Sequence, residues 1–251
     1  MSFGSALVVG LIAGLAYLSR RMLGDCQLER PIVIGPLVGL LLGNVSMGLL
    51  IGATLELVFM GAQAIGGSVP SNVAIGSAVG TAIAVNSGSG LEVALVTAVS
   101  VAVVASTFEL FAKTVCAFLG HGVDKYAAQG NAGGISAMVL TGNLIHFLAY
   151  FVPTFLALFL GAEAIAGAMD SIPESIMGGI TAIGVLLPAL GFGLLLNSLS
   201  SKKLMPYFFI GFAIVAYVPA FSVMGVAVLG IAYIIMYVNA GKSVATAERR
   251  E

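Results

Sequence analysis

Residues 49–61 read LLIGATLELVFMG, and Glu56 in the middle of this stretch decides how the rest of the chain is interpreted. The 251 residues are 59% hydrophobic and 8% charged, with a mean hydropathy of +1.11. A soluble domain carries about 25% charged residues, so the composition indicates a membrane protein. A carboxylate inside hydrocarbon costs at least ~2.5 kcal/mol on insertion scales and needs a partner, a water-filled cavity or a ligand. Glu56 is therefore the first candidate functional residue.

Four charge-free stretches are each long enough to cross a bilayer as a helix, which takes about 20 residues. They cover residues 57–91, 126–162, 175–201 and 204–241. Backbone groups in a bilayer must pair internally, and continuous apolar runs favour helices over a barrel. We predict an all-α fold, a polytopic membrane helical bundle forming a single domain over residues 1–251. Residues 5–240 would be embedded in the membrane, and 241–251 would form a polar cytoplasmic tail.

Other apolar segments are too short to cross the membrane unaided. Residues 32–66 and 204–240 are predicted to form short broken or re-entrant helical hairpins, the first containing a helix over 49–65. The 33 glycines lie within the apolar segments. They fit either close helix packing or discontinuous helices around a site at the middle of the bilayer. Polar loops are predicted at 121–131 and 163–174.

The distribution of basic residues predicts the topology. Lysines and arginines cluster at 20–30, 113–125, 202–203 and 242–250, and the positive-inside bias makes these loops cytoplasmic. The acid-only loop 163–174 then lies outside, with the N-terminus outside and the C-terminus in the cytoplasm. The net charge is −1 with no basic stripe, which argues against a nucleic-acid partner.

Polar groups gather around the first hairpin. If residues 49–65 are helical, Glu56, Phe59 and Gln63 share one stripe, which points toward the loop that holds Ser68 and Asn72. A carboxylate, an amide and a hydroxyl are groups that bind a sugar, because each sugar hydroxyl both donates and accepts. Phe59 would contact the face of the sugar ring. The alternative is a buried Glu56 bonded to neighbouring helices, with Ser68 and Asn72 capping short helices.

Other chemistry has weaker support. His121 and His146 are candidates for a phosphoryl acceptor or proton relay, with loop solvation and an interhelical hydrogen bond as the respective alternatives. Glu109 and Lys113, spaced i,i+4, are interpreted as a surface or interfacial ion pair near a helix end. HExxH, CxxC and P-loop patterns are absent, so we predict no metal, no cofactor and no catalytic residue in the chain.

Two motifs carry a resemblance to a known family. Residues 30–44 read RPIVIGPLVGLLLGN and residues 47–57 read MGLLIGATLEL. They resemble the IIC membrane subunit of the mannose–fructose–sorbose family of the bacterial phosphoenolpyruvate-dependent sugar phosphotransferase system. The stretches LLPALGFG at 186–193 and LMPYFFIGF at 204–212 resemble it too. The similarity covers residues 5–240.

The resemblance implies a permease of the bacterial inner membrane that works with partner subunits. A IID membrane subunit would pair with this chain, forming a trimer of IIC–IID heterodimers within membrane lipid. A sugar substrate would cross by an elevator-like movement and be phosphorylated by a cytoplasmic IIB subunit supplied by IIA, while IIC itself carries no phosphohistidine. The family's motif glutamate falls on Glu56, and Asn72 stands where some relatives have aspartate, which implies altered sugar recognition.

Two other functional classes stay open. An ion- or proton-coupled secondary transporter working alone would use Glu56 as its proton carrier. A non-transporting membrane scaffold for a partner subunit would need no solute site. Uptake of unmodified solute driven by an ion gradient alone distinguishes the first class from a phosphorylating permease.

Overall fold

A computed structural model describes the backbone of residues 1–62, 71–88, 90–170, 174–201, 204–218 and 222–248, and their side chains except at 162–177, 180, 181, 184, 185 and 240–248. This part of the chain is helical and contains no strand, which confirms the predicted all-α fold. The helices are α1 (Phe3–Met22), α2 (Pro31–Leu41), α3 (Val45–Val58), α4 (Val73–Ser87), α5 (Leu91–Ala128), α6 (Ala132–Asp170), α7 (Glu174–Leu199), α8 (Met205–Tyr217) and α9 (Val223–Glu248).

Three of the described helices are long and apolar enough to cross a membrane: Phe3–Met22, Leu91–Ala128 and Ala132–Gly161. Their outward faces expose large apolar side chains, such as Val104 at 64% and Phe111 at 68%. Apolar faces of this kind suit contact with hydrocarbon rather than water. The helical membrane bundle is thus the architecture of the described chain.

Helices α2 and α3 form a hairpin and pack closely against each other at glycine residues. An added Cβ at Gly35 would lie 2.6 Å from the carbonyl oxygen of Gly48, and one at Gly39 would lie 2.7 Å from the carbonyl oxygen of Asn44. The two backbones therefore touch with no side chain between them, as small residues permit in membranes. Gly43, with φ at +84°, makes the turn, and the Asn44 side chain accepts a hydrogen bond from the Met47 N–H and caps α3.

Helix α3 ends earlier than its sequence suggests. It stops at Val58 instead of continuing through 65. Phe59 caps its C-terminus and is only 3% exposed, within an apolar cluster that includes Ile51 and Leu55. The prediction placed Glu56, Phe59 and Gln63 on one stripe of a continuous helix. It is wrong at Phe59, which already lies beyond the end of α3.

Helix α4 lies at the centre of the first part of the fold. Every residue from 74 to 84 is buried, because α4 packs against α1, α2, α3, α5 and α6. Gly76 and Gly80 bring its backbone against Ala98 and Ala102 of α5. Its polar residues Ser77 and Thr81 are buried as fully as their apolar neighbours, so α4 has no exposed polar face that would identify its position from sequence.

Helices α5 and α6 extend into both predicted loops. Residues 121–128 continue α5, and the turn is confined to three residues around Gly130, whose φ is +65°. The prediction of a loop over 121–131 is wrong because single glycines cost only about 1 kcal/mol in a helix and nothing else there breaks one. The loop predicted at 163–174 is also wrong over its first part, since α6 runs to Asp170.

The chain divides into two compact units, Met1–Ser198 and Leu199–Glu251. The second unit consists mainly of α8, which begins with Pro206 in its first turn, and α9. The first hairpin also begins with a proline, Pro31, which suits helix starts because its missing N–H needs no partner there. A short, proline-initiated helix thus opens both predicted hairpins. The single domain predicted over 1–251 stays a prediction.

Candidate functional site

A polar cavity of about 70 Å³ lies within the first unit. It is bounded by the end of α1, the 23–30 segment, the start of α4, and the middle of α5 and α6. Its wall includes six charged or hydrogen-bonding side chains: Arg20, Glu29, Arg30, Asn72, Glu109 and Tyr150. A cluster of ionisable groups inside an otherwise apolar bundle is a candidate site for a polar solute or ion.

Asn72 holds the start of α4 in place and also faces the cavity. Its Oδ1 accepts a hydrogen bond from the Ile75 N–H at 3.1 Å, which caps the helix. Its own backbone N–H donates to the Ala102 carbonyl at 2.9 Å, and its Nδ2 donates to Glu109 Oε2 at 3.3 Å. Asn72 is 2% exposed. The capping role considered from the sequence is confirmed, and Asn72 lines the cavity as well.

Glu109 is the centre of the buried network. Its side chain is 11% exposed, and its Oε1 lies 2.8 Å from Lys113 Nζ. The Tyr150 hydroxyl donates to its Oε2 at 3.0 Å, beside the bond from Asn72. The ion pair interpreted from the sequence as surface or interfacial is present, but its predicted position near a helix end is wrong, since Glu109 lies midway along the 38-residue α5. The ion pair persists because the same carboxylate also accepts from two neighbouring helices.

Glu29 brings a carboxylate oxygen that has no protein partner. The residue is 8% exposed, and its Oε1 accepts from Arg20 Nη1 at 3.0 Å. Its buried Oε2 has no hydrogen-bond partner among the described residues. Burial raises the pKa of the Glu29 carboxyl, and the neighbouring Arg20 offsets only part of that shift. A buried unsatisfied acceptor costs about 1–3 kcal/mol, so this oxygen suits a ligand, water or proton.

Glu56 has protein partners at the edge of this cavity. Its Oε1 accepts from Arg30 Nε at 2.8 Å and from Arg30 Nη2, and its Oε2 accepts from the Ile32 N–H at 3.3 Å. The carboxylate therefore pairs with a backbone N–H group at the start of α2, where unpaired N–H groups and the helix dipole favour a negative charge. Glu56 does not line the cavity, whereas Arg30 does. Its connection to the cavity runs through that guanidinium.

Aromatic rings support Tyr150 from behind. The Tyr17 ring of α1 stacks on Tyr150 with centroids 3.9 Å apart, and on His146 with centroids 5.8 Å apart. His146 Nε2 lies 2.9 Å from Arg21 Nη2 and Nδ1 lies 2.9 Å from the Gly142 carbonyl. Since arginine only donates, Nε2 is the acceptor and Nδ1 carries the proton. The interhelical hydrogen bond considered for His146 is thus confirmed, and it leaves no free ring nitrogen.

The remaining predicted site residues are only partly placed. Phe59 is buried among apolar side chains and does not line the cavity. Gln63 and Ser68 lie outside the described residues, although Ala62 and Ser71 on either side of that segment both line the cavity. In the described part of the chain, no group of three His, Cys, Asp or Glu residues is arranged to hold a metal ion. The binding roles of these residues stay predictions.

Of the described residues that line the cavity, only Asn72 is a predicted site residue, and the polar residues that the prediction misses include Glu29, Glu109 and Tyr150. Glu109 follows 16 uncharged residues, 93–108, so the argument that selects Glu56 applies equally to it. The i,i+4 spacing to Lys113 hides this signal because such pairs are common on helix surfaces. Tyr150 lies 41 residues from Glu109 and has no sequence signal that would pair them.

The chain resembles characterised permease components along nearly its whole length. The family model described as "PTS system sorbose-specific IIC component" matches residues 3–236. The fructose permease IIC component of Bacillus subtilis (strain 168) is 29% identical over 231 residues, or 92% of this chain and 84% of that protein. The mannose-specific EIIC component of Escherichia coli (strain K12) is 25% identical over 92% and 86%. N-acetylgalactosamine permease IIC component 1 of the same strain is 30% identical over 81% and 76%.

Two solved structures share the fold. One, described only as a membrane protein, has a TM-score of 0.84 at 24% identity, covering 95% of this chain and 96% of the other. The cryo-EM structure of the mannose transporter ManYZ with microcin E492 has a TM-score of 0.60 at the same identity and coverage. The match of the family model to almost the entire sequence, on a helical membrane fold, shows that the chain belongs to the sorbose-type IIC component family of the phosphotransferase system.

Proposed function

We propose that this chain is the sugar-translocating membrane subunit of a phosphotransferase-system permease. With a IID subunit it binds a hexose or amino sugar and carries it across the bacterial inner membrane for phosphorylation by a cytoplasmic phospho-IIB subunit. The observation that supports this function is the buried polar cavity around Glu29, Asn72 and Glu109, inside a member of a family of sugar permease components.

The cavity offers the chemistry that a sugar requires. Glu29 Oε2 has no hydrogen-bond partner within the described part of the chain, and carboxylates, an amide and a phenol line the same cavity. Sugar hydroxyls donate to such carboxylates and accept from amide and guanidinium groups. The present volume of about 70 Å³ holds a few water molecules, whereas small-molecule sites measure about 300–1,000 Å³. Sugar binding therefore requires the cavity to enlarge, as a transport cycle with moving helices would provide.

The sequence-predicted site residues keep roles in this proposal. Asn72 contacts the sugar directly, and Glu56 acts by holding Arg30 at the cavity wall. Gln63 and Ser68 belong to the segment between the cavity residues Ala62 and Ser71. Phe59 would contact the sugar ring only after a rearrangement, because it is 3% exposed in the described conformation.

The same family membership and the surface of the second unit support the proposal of partner subunits. Large apolar side chains of α8 and α9 are exposed within that unit, including Tyr217 at 81% and Met224 at 74%. Such faces need either lipid or other helices around them. We assign part of this surface to IID, in a trimer of heterodimers whose sugar site moves in an elevator-like manner. The IIB and IIA subunits would act at the cytoplasmic face, where the C-terminus is also placed.

Phosphorylation-dependent uptake tests this function. Vesicles containing this chain and its IID partner are supplied inside with phospho-IIB and outside with hexoses and amino sugars in turn. We expect one or a few of these sugars to appear inside as sugar phosphates, and none when phospho-IIB is withheld. Accumulation of unmodified sugar without IID or phospho-IIB would refute the proposal.

A proton-coupled secondary transporter is the second candidate. Glu29 favours it, because its buried carboxyl has a free oxygen and a raised pKa, as a proton carrier needs. Glu56, the carrier considered from the sequence, is occupied by Arg30. Uptake of unmodified solute driven by a proton gradient, and lost in Glu29→Gln, would favour this second function over the first.

Glu29→Gln is expected to weaken sugar binding without lowering the thermal stability of the protein. Loss of a charged acceptor weakens sugar affinity by roughly 10- to 100-fold. Because the folded-state pKa lies above the ordinary 4.5, the free energy of unfolding falls as pH rises from 4.5 to that folded value; the loss is complete above it and absent below 4.5. Thermal unfolding should therefore give an equal or higher Tm for the variant at pH 7, with a difference that shrinks toward pH 4.5.

Asp25→Asn is the matched control for Glu29. Asp25 also pairs with Arg20, at 3.3 Å, but its side chain is 54% exposed. Its replacement should leave both affinity and the pH dependence of Tm nearly unchanged. A clearly lower Tm for Glu29→Gln at pH 7, or unaltered sugar affinity, would contradict the role given to Glu29.

Glu56→Gln is expected to lower uptake roughly tenfold at equal membrane expression, by releasing Arg30. A hydrogen bond to a charged group contributes about 1.5–3 kcal/mol, so the guanidinium would leave its position at the cavity wall. If Glu56 acts through Arg30, the double variant Arg30→Gln/Glu56→Gln should transport no worse than Arg30→Gln alone. Additive losses in that double-mutant cycle would instead place Glu56 in direct contact with the sugar.

A further inference from the structure

A second cavity is also lined by the end of α1, but its wall is mainly apolar. It is a groove of about 220 Å³ between α1, α5 and α6. Its wall combines Arg21 and Asn143 with the apolar side chains of Leu119, Val123, Met138 and Val139. Val139 is 53% exposed, so the groove opens to the outside of the bundle. None of these residues belongs to the polar cavity described above.

Arg21 is held over this groove and is not neutralised. Its Nη2 donates to His146 Nε2 at 2.9 Å and lies 3.5 Å from the Tyr17 hydroxyl. Its Cζ lies 5.6 Å from the Tyr17 ring centroid. Among the described residues it forms no ion pair, unlike Arg20, Arg30 and Lys113. The donors on Nε and Nη1 thus remain available for an anion, in the planar fork that fits phosphate oxygens.

The position of Arg21 along the membrane normal points to the source of that anion. It is the penultimate residue of α1, a helix of 20 residues that is long enough to cross the hydrocarbon once. Arg21 therefore lies at one face of the bilayer, at the level of lipid headgroups. Basic pockets between membrane helices at this level bind anionic lipid headgroups. A free phosphate ion would gain nothing from the apolar wall beside it.

We propose that this groove is a binding site for one anionic phospholipid, such as phosphatidylglycerol. Its phosphate is bound by the free guanidinium donors of Arg21, its glycerol headgroup by the Asn143 amide, and an acyl chain lies along Leu119, Val123 and Val139. The groove shares no described lining residue with the polar cavity, and the site places a lipid beside the aromatic stack of His146, Tyr17 and Tyr150.

Lipid retention by the full-length protein tests the site. The protein is equilibrated in nanodiscs of phosphatidylcholine with a small fraction of phosphatidylglycerol, extracted into detergent, and analysed by native mass spectrometry. We expect retention of about one phosphatidylglycerol per chain, falling roughly tenfold in Arg21→Gln, as loss of a charge-assisted hydrogen bond implies. Equal retention of both lipids by the unmodified chain, or unchanged retention in Arg21→Gln, would overturn the proposal.

Two further variants guard against indirect effects. Lys125→Gln removes one positive charge from an exposed position at the end of α5 and should retain the lipid fully. Val139→Trp fills the groove while keeping Arg21 and should lose the lipid as Arg21→Gln does. Retention by Val139→Trp, or displacement of the lipid by millimolar glycerol phosphate, would show that the groove does not bind an acyl chain and would also overturn the proposal.

Discussion

Glu109→Gln is expected to reduce sugar uptake by about two orders of magnitude at equal membrane expression. The change removes the charge that accepts from Asn72 and Tyr150 and that pairs with Lys113. Hydrogen bonds to charged groups contribute about 1.5–3 kcal/mol each, and every 1.4 kcal/mol corresponds to a tenfold change. Initial uptake rates of labelled sugar in vesicles with the partner subunits measure this effect.

The same substitution should also destabilise the fold. Glu109 is buried but the Lys113 side chain is 35% exposed, so leaving its ammonium without a counter-charge costs less than in a fully buried pair, roughly 1–3 kcal/mol. The double variant Glu109→Gln/Lys113→Met should therefore regain much of the lost thermal stability but none of the lost uptake. Recovery of uptake in the double variant would assign Glu109 a purely structural role.

Glu92→Gln is the matched control on the same helix. Glu92 lies in the first turn of α5, far along the chain from the buried network, where an acid contributes only about 0.3–1 kcal/mol through the helix dipole. Its replacement should leave uptake within about twofold of the unmodified protein. A loss equal to that of Glu109→Gln would mean that removal of any acid from α5 impairs transport.

Gly48→Ala is expected to separate α2 from α3 and to lower the yield of folded protein strongly. The new Cβ would lie 2.5 Å from the Gly35 carbonyl oxygen and 2.7 Å from the Gly39 Cα, which are backbone atoms that cannot rotate away. Overpacking costs about 1–3 kcal/mol where side chains can adjust, and more where backbones must move. Thermal unfolding in detergent and the fraction of monodisperse protein measure the effect.

Gly120→Ala provides the comparison for this variant. It lies inside α5, and an added Cβ there meets nothing within 4 Å. Because alanine favours helix over glycine by up to about 1 kcal/mol, this variant should be as stable as the unmodified protein or more so. Equal Tm values for Gly48→Ala and the unmodified protein would contradict the backbone contact between α2 and α3.

Composition and charge spacing predict the class of fold well, but not the contacts. Hydrocarbon excludes charges and unpaired backbone groups, so the helical bundle and the first short hairpin follow from the sequence. The end of α3 at Val58 does not, since the residues that follow it suit a helix about as well as those before it. The buried position of α4 is set by five neighbouring helices, and no local pattern specifies which helices those are.

Sequence predicts a site residue only where that residue alone is unfavourable in its surroundings, as a charged or polar side chain within an apolar stretch is. Glu56 attracts attention as a lone acid, and Asn72 as a polar residue at a helix start, and both lie at or next to the cavity. Glu29 is hidden among the charges of the 20–30 segment, and Glu109 by its spacing to Lys113. Arg30, Glu109 and Tyr150 come together from three distant parts of the chain, so only the packing of helices shows that they share a wall.

The glycine contact between α2 and α3 frees the outer faces of the hairpin from any part in holding its two helices together. Large side chains there, such as Leu40 at 63% exposure and Leu50 at 52%, point away from the seam. Their shape and polarity can therefore change to suit a different lipid thickness or a different neighbouring protein, while the internal geometry of the pair stays constant. A library randomised on these outer positions should yield many folded members, whereas one randomised on Gly35, Gly39, Gly48 and Gly52, where the two backbones touch, should yield almost none.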